Sequence, residues 1–315
     1  MSSTVAFSVV PLHNLNLPAG TVLPFGRFTI QDVPDWLRKE PILKDLSKRD
    51  RDSVHQARQG LVSAYDADSY GYPDPEWTGI KPKGIQDLRW QSALLANMCM
   101  WMVMPSTVCV TCGFHALTML EGRQLESPIV NHIDKEGTLF CHERDLPNTP
   151  TLGDLRKAAR LFKTLSTVPR KNSVWPALRA FWAALTSYPS DLRYPLFWQG
   201  LESLFGSDTD VNGVSKRLRD RISHFLADDA RVQQELHGKV KACYAERSAI
   251  VHGRWEDSQE FHEVHMYTTE AIVRTVVRHI ADRPGMLDVF LSPKRNQYLE
   301  AWVQSKAFAP PPMPT

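Results

Sequence analysis

From Lys171 to the end of the chain, apolar residues recur at intervals of three and four, the spacing that puts them on one face of an α-helix. This periodicity predicts helices over 175–186, 191–205, 214–226, 232–252, 258–281 and 296–306. In the second of them Phe197, Leu201, Leu204 and Phe205 form the apolar stripe. Consecutive helices with one apolar face each can bury those faces only against one another, which predicts a helical bundle over 169–308. The final APPPMPT has no apolar pattern with which to pack, and 309–315 reads as a disordered tail.

The pattern before residue 168 is mixed. Residues 25–30 read as a short strand, 51–64 as a helix and 85–102 as a longer apolar helix able to cross a core. DSYGYPDPEWTGIKPKG, at 68–84, has the Pro, Gly and aromatic content of a surface loop. Strands are expected over 107–119 and 129–142, the latter turning at 134–137. Thr151 with Asp154 three residues on fits a capping box for a helix through Leu165. The expected fold is thus mainly α, an N-terminal α+β domain over 1–168 followed by the bundle, with no internal repeat.

Composition changes this picture little. A chain of 315 residues with 43% hydrophobic content can fill two cores, and a net charge of +2 neither favours nor excludes a nucleic-acid partner. Local clustering says more: KRLRDR at 216–221 is the densest basic run. Lys216, Arg217, Arg219 and Arg221 are therefore candidates for phosphate contacts, against the plainer reading of a solvated helix face. MSSTVAFSVV lacks a basic region ahead of an apolar one, so no secretory signal is expected. The longest nearly apolar run, ALLANMCMWMVM, is interrupted at Asn97 and falls well short of the roughly 20 residues of a membrane span. Five cysteines, an odd number, fit reduced thiols better than a disulfide framework. A cytoplasmic protein without a membrane partner is expected.

The stretch AERSAIVHGRW, from Ala245 to Trp255, holds an anomaly. On a wheel of about 100° per residue, Val240, Cys243, Tyr244, Ile250 and Val251 all fall within about 60° of Arg247. An arginine in an apolar stripe needs either a carboxylate partner, for which Glu202 is the candidate, or a functional cleft. Gly253 suits a left-handed helix end, leaving His252 at the C-terminus where the helix dipole favours positive charge. A titrating imidazole near a permanent guanidinium is the pair that acid/base work on a phosphodiester requires. Arg247 and His252 stand about 140° apart, so a long reach or a second subunit must complete a shared cleft; Ser248 and His252 share one face.

FWQGLESLFG, then SKRLRDRISHFL, then YAERSAIVHG resembles the ApeA-like branch of the HEPN superfamily, over roughly 175–303. The shared signature is an arginine, four to six arbitrary residues and a histidine; Arg247 and His252 enclose four. The resemblance implies a HEPN-like helical bundle acting as a metal-independent endoribonuclease that works as a homodimer, without a cofactor, in antiviral defence or as a toxin. It implies catalytic roles for Arg247 and His252, with Ser248 beside them where many active members carry Asn, Asp or His. Tyr244 and Glu202 become supporting residues, and Arg254 joins the RNA-binding cations. The N-terminal domain would then sense a phage-derived trigger or restrain the nuclease, and an antitoxin is a further possible partner. A catalytically silent dimerisation or nucleotide-binding bundle, with a partner-binding N-terminal domain, is the alternative.

Other chemistry is less supported. Cys109 and Cys112 form a CxxC, with His115, Cys141 and His142 as further zinc donors, but no second CxxC follows and the pair reads as core filler in a strand. His262 and His265, with Glu263, could suit a metal but read as a solvated or interface face. No phosphate-cradling glycine loop and no nucleophile elbow occurs.

Overall fold

Val9, Val10 and Leu12 are all fully buried although they alternate between the two faces of strand β1 (Val5–Leu12), so this strand is covered on both sides. It runs through the middle of an antiparallel sheet with β4 (Gln59–Asp66) on one flank and β5 (Cys112–Leu120) on the other. β2 (Leu23–Phe25) and β3 (Phe28–Asp32) extend the sheet beyond β4, while β6 (Arg123–Gln124) and β7 (Ile129–His132) both pair with β5. The computed structural model describes residues 5–38, 43, 47–66, 85–120, 123–124, 129–132, 149–169, 172–187, 189–206, 213–254 and 259–305. Two compact units divide the chain, one ending at Thr167 and the other beginning in earnest at Val168.

In the first unit, α1 (Asp35–Arg38) and α2 (Lys48–Gln56) pack on the sheet through a cluster containing Val9, Leu37, Val54, Val62 and Phe114. α3 (Ile85–Val103) and α4 (Leu152–Leu165) pack together, and α4 presents Phe162 to Phe25 and Phe28 at ring distances of 5.5 and 6.3 Å. The capping box of α4 is formed as expected: Asp154 N donates to Thr151 Oγ1 and Thr151 N to Asp154 Oδ2.

Three sequence expectations need correction here. Residues 51–64 are not one helix: α2 stops at Gln56, Ala57 turns extended, and β4 begins at Gln59. Leu61 and Val62, 0% and 6% exposed on opposite faces, need cover on both sides, which pairing with β1 and β3 supplies and a surface helix does not. The strand expected at 25–30 is a hairpin, with Gly26 at φ 63° opening a two-residue turn between Phe25 and Phe28. The strand expected at 107–119 starts only at Cys112, after an isolated bridge from Cys109 to His13. The loop at 68–84, the turn at 134–137 and the tail at 309–315 lie outside the described residues.

The described elements of the second unit are all helices: α5 (Val174–Thr186), α6 (Ser190–Phe205), α7 (Val214–Leu226), α8 (Ala230–Val251), α9 (Gln259–Asp282), α10 (Met286–Leu291) and α11 (Arg295–Ser305). α6 is the hub, touching α5, α7, α8 and α9, and its Tyr194, Phe197, Trp198, Leu201 and Phe205 are fully buried. Phe205, Phe225 and Phe290 meet edge to face at 5.4–5.5 Å and join α6, α7 and α10. Arg193 of α6 is fully buried and donates to Glu270 of α9 at 2.5 Å, so this buried charge is paired. Among the described residues no helix is long and apolar enough to cross a membrane.

Candidate active site

The end of α8 is built by its glycine. Gly253 adopts φ 63°, Arg254 N donates to Ala249 O at 2.8 Å and Gly253 N to Ile250 O at 3.1 Å, which together make a Schellman cap around His252. The cap satisfies the last carbonyls and leaves His252 exposed, its ring bonded to none of the described residues. Ser248, one turn earlier, is half-buried, and its hydroxyl likewise bonds none of them.

The apolar stripe of α8 explains how Arg247 is tolerated. Val240 and Cys243 are 0% and 1% exposed, whereas Val251 at the other end is 49% exposed. The stripe emerges from the bundle in its last turns, and Arg247 sits at that margin with 22% of its side chain exposed. Its Nη2 lies 3.1 Å from Glu202 Oε1 and 3.4 Å from Oε2, so the partner named from sequence is the one found. The guanidinium also stands over the Tyr244 ring at 5.5 Å, and Tyr244 donates its hydroxyl to the same Glu202 Oε1 at 3.0 Å. Behind them the fully buried Trp198 meets Tyr244 edge-on at 5.2 Å. Burial first, and then the Glu202 carboxylate, push the Tyr244 hydroxyl up to about 12, which keeps it a donor across the neutral range.

Glu202, Tyr244 and Trp198 thus hold one edge of the guanidinium. Arg247 Nε is buried and bonds nothing among the described residues, and only Nη2 is engaged by Glu202. The outer nitrogen retains hydrogen-bonding capacity for an anion. Arg254, just past the cap, is exposed.

The basic run on α7 divides. Lys216 is exposed; Arg217 and Arg219 are half-buried, with Arg219 Nε donating to Ser215 O at 3.2 Å. Arg221 is a correction: it is 3% exposed and donates to Phe205 O at 2.6 Å, Gly206 O at 3.1 Å, Asn296 Oδ1 at 3.2 Å and Glu300 Oε1 at 2.6 Å. It ties α6 to α11 and has no guanidinium face left for phosphate. The sequence does place Arg221 on a helical stripe with Leu218, Ile222 and Phe225, as it places Arg247 on one, but the stripe alone does not say which of the two is buried.

His265 is also corrected. It is 8% exposed rather than on a solvated face, and its Nδ1 hydrogen-bonds Glu246, itself 6% exposed, joining α9 to α8 beside Arg247. That bond and the Trp198 shelf were not anticipated. The side chain of His262 lies outside the described residues, as do Cys141, His142 and the side chain of His115. Cys109 and Cys112 are 5% and 1% exposed core residues, and burial pushes the Cys109 thiol up to about 11. Among the described residues no three His, Cys, Asp or Glu side chains are grouped to hold a metal. Compared with protein-family models, curated proteins and solved structures, the chain matches none.

Proposed function

We propose that the helical unit is a metal-independent endoribonuclease of the HEPN type, with Arg247 and His252 at its active site. The observation that carries this reading is the contrast within one helix end: Arg247 is anchored by Glu202 on one edge only, while His252 is presented to solvent by a complete Schellman cap. A wholly structural arginine spends all its donors on protein oxygens, and a merely capping imidazole bonds a carbonyl; Arg247 spends Nη2 on Glu202 and leaves Nε unbonded, and the His252 ring bonds none of the described residues.

The chemistry needs little else. The ribose 2′-oxygen attacks phosphorus, the bond from phosphorus to the 5′-oxygen breaks, and a 2′,3′-cyclic phosphate remains. His252 takes the 2′-hydroxyl proton or returns one to the departing 5′-oxygen, and Arg247 faces the charge that grows on the phosphorane oxygens. Ser248 offers a hydroxyl on the face of His252, and Lys216 and Arg254 are exposed cations for the flanking phosphates. The rotation of about 140° between Arg247 and His252 favours a homodimer that assembles the cleft from two copies of this helix end. Val251 at 49% and Val264 at 57% exposure give that contact an apolar component. Cytoplasmic antiviral defence or toxin action, with the N-terminal unit answering a phage-derived trigger or an antitoxin, completes the reading.

The test is cleavage of RNA by purified protein in excess EDTA, with the product ends identified. Wild type should release 2′,3′-cyclic phosphate ends and His252→Ala should not. Cleavage that vanishes on chelation, or that survives undiminished in His252→Ala and Arg247→Ala alike, leaves a silent dimerisation bundle as the better description. The Arg247–Glu202 pair is the observation that favours that second reading.

A further inference from the structure

The first unit holds an open cavity of about 560 Å³, lined by the two residues after β1, by one face of α2 and by the segment entering β5. Within its lining, three side chains from those three elements meet. Ser53 Oγ is 2.7 Å from His13 Nε2 and 2.8 Å from Thr111 Oγ1, and His13 Nε2 is 3.1 Å from Thr111 Oγ1. Ser53 is 6% exposed and stands beside Val54 and Cys112 of the apolar cluster. Burial holds the His13 imidazole below its ordinary value, so the ring is neutral at pH 7 and can either donate or accept.

A proton count shows that this trio is not self-satisfied. If Nε2 accepts, two hydroxyl protons must serve three edges, and one edge has no proton. If Nε2 donates, the hydroxyl proton left over has Cys112 Sγ as an inner partner, 3.3 Å from Ser53 Oγ and 3.9 Å from Thr111 Oγ1. In both cases His13 Nδ1 bonds nothing among the described residues, and Thr111 is half-exposed. Polar groups buried for packing alone are either fully satisfied or replaceable by apolar ones of equal size, whereas this trio keeps capacity on its cavity side.

Charge at the rim gives the complement. Lys48 and Arg49 are exposed in the first turn of α2, where the backbone N–H groups add partial positive charge, and neither pairs with a carboxylate among the described residues. Asp50 is taken up by the N-cap, accepting from Ser47 Oγ at 2.6 Å, and among the described residues Asp52 is the one carboxylate in the lining. Among the described residues the lining contains no Phe, Tyr or Trp on which a nucleobase could stack.

We propose that this cavity binds a phosphorylated polyol, its phosphate monoester held by Lys48 and Arg49 and its hydroxyls by the trio of His13, Ser53 and Thr111. A cavity of about 300–1,000 Å³ suits such a ligand. The shared chemistry is a phosphate on a hydroxylated carbon frame, whether a free sugar phosphate or the ribose-phosphate end of a nucleotide.

Isothermal titration of the full chain with ribose 5-phosphate, AMP, ribose and inorganic phosphate tests this. Ribose 5-phosphate should bind at least about tenfold more tightly than ribose or phosphate alone, since only it engages both halves of the site. Lys48→Gln with Arg49→Gln should weaken it about tenfold or more. Thr111→Val, at a half-exposed position and compared at matched unfolding midpoint, should weaken ribose 5-phosphate while leaving the response to inorganic phosphate unchanged. AMP binding as tightly as ribose 5-phosphate assigns the nucleotide as source, and weaker AMP binding assigns the free sugar phosphate. No saturable heat with any of the four, phosphate binding as tightly as ribose 5-phosphate, or affinities unmoved in both variants overturns the proposal. None of these readouts involves RNA cleavage, so the outcome is separate from that of the helical unit.

Discussion

Two arginines of the helical unit, Arg221 on α7 and Arg247 on α8, interrupt apolar stripes in the same way yet end in opposite states. Arg221 is 3% exposed and gives its donors to four oxygens, two of them the carbonyls of Phe205 and Gly206 that close α6. Arg247 is 22% exposed, and among the described residues its one ionic partner is the similarly exposed Glu202 at 3.1 Å. The first guanidinium is consumed by the fold and the second is positioned by it. The difference lies in the number of acceptors and in access to water, neither of which follows from the charge or the spacing.

The largest effect expected at the α8 end is catalytic. His252→Ala should lower the rate of RNA cleavage in EDTA by about 10²–10⁴-fold with little change in unfolding midpoint, because the ring is exposed and bonds no described residue. A full rate in this variant would make the α8 end as structural as the α7 one and dissolve the contrast.

Next comes Arg221→Ala, which strands two backbone carbonyls in a buried joint and should cost about 3 kcal/mol in urea unfolding. Glu300, 46% exposed, regains water and softens the loss. Replacement by Lys would keep the charge but cannot reach all four oxygens, so it should recover only a minor part.

Arg247→Ala should abolish cleavage while costing only about 1 kcal/mol, because a pair exposed at 22% and 26% is screened and its carboxylate keeps water and the Tyr244 hydroxyl. A stability loss equal to that of Arg221→Ala would show that the α8 arginine is structural after all.

The smallest effect is one of pH. The Tyr244 hydroxyl is raised from 10 to about 12 by burial and then by Glu202. A raised acid stabilises the fold fully below its unfolded value and loses that contribution as pH climbs from 10 through about 12. Tyr244→Phe should remove that alkaline slope from a pH series of unfolding midpoints, whereas the Arg221 variant should retain it.

How much of this was legible beforehand depended on the range of the interactions. The helices from 174 onward were readable to within a residue or two, because each buries one face and announces it every three or four positions. The pairing of Arg247 with Glu202 was also foreseeable, since an arginine in a stripe demands a carboxylate and LESLF supplied one. α10, six residues long, left no period to detect. In the first unit, β1 and β4 escaped because a strand buried on both faces does not alternate. The trio of His13, Ser53 and Thr111 is spread over almost a hundred positions and has no signature in any window.

The sequence by itself determined the helical character of the second unit, the left-handed glycine that ends α8, and the presence of an arginine, a serine and a histidine on its last turns. These are local properties, set by the helical period and by the conformational freedom of Gly253. Only the tertiary structure decided that Arg221 is buried and Arg247 is not, that His265 turns inward to Glu246, and that residues 59–66 form a strand. Each of these depends on what other elements bring alongside: carbonyls from the end of α6, a carboxylate from the neighbouring helix, and a strand on either flank. Desolvation and pairing are properties of neighbours in space, and a chain read one residue at a time does not list its neighbours.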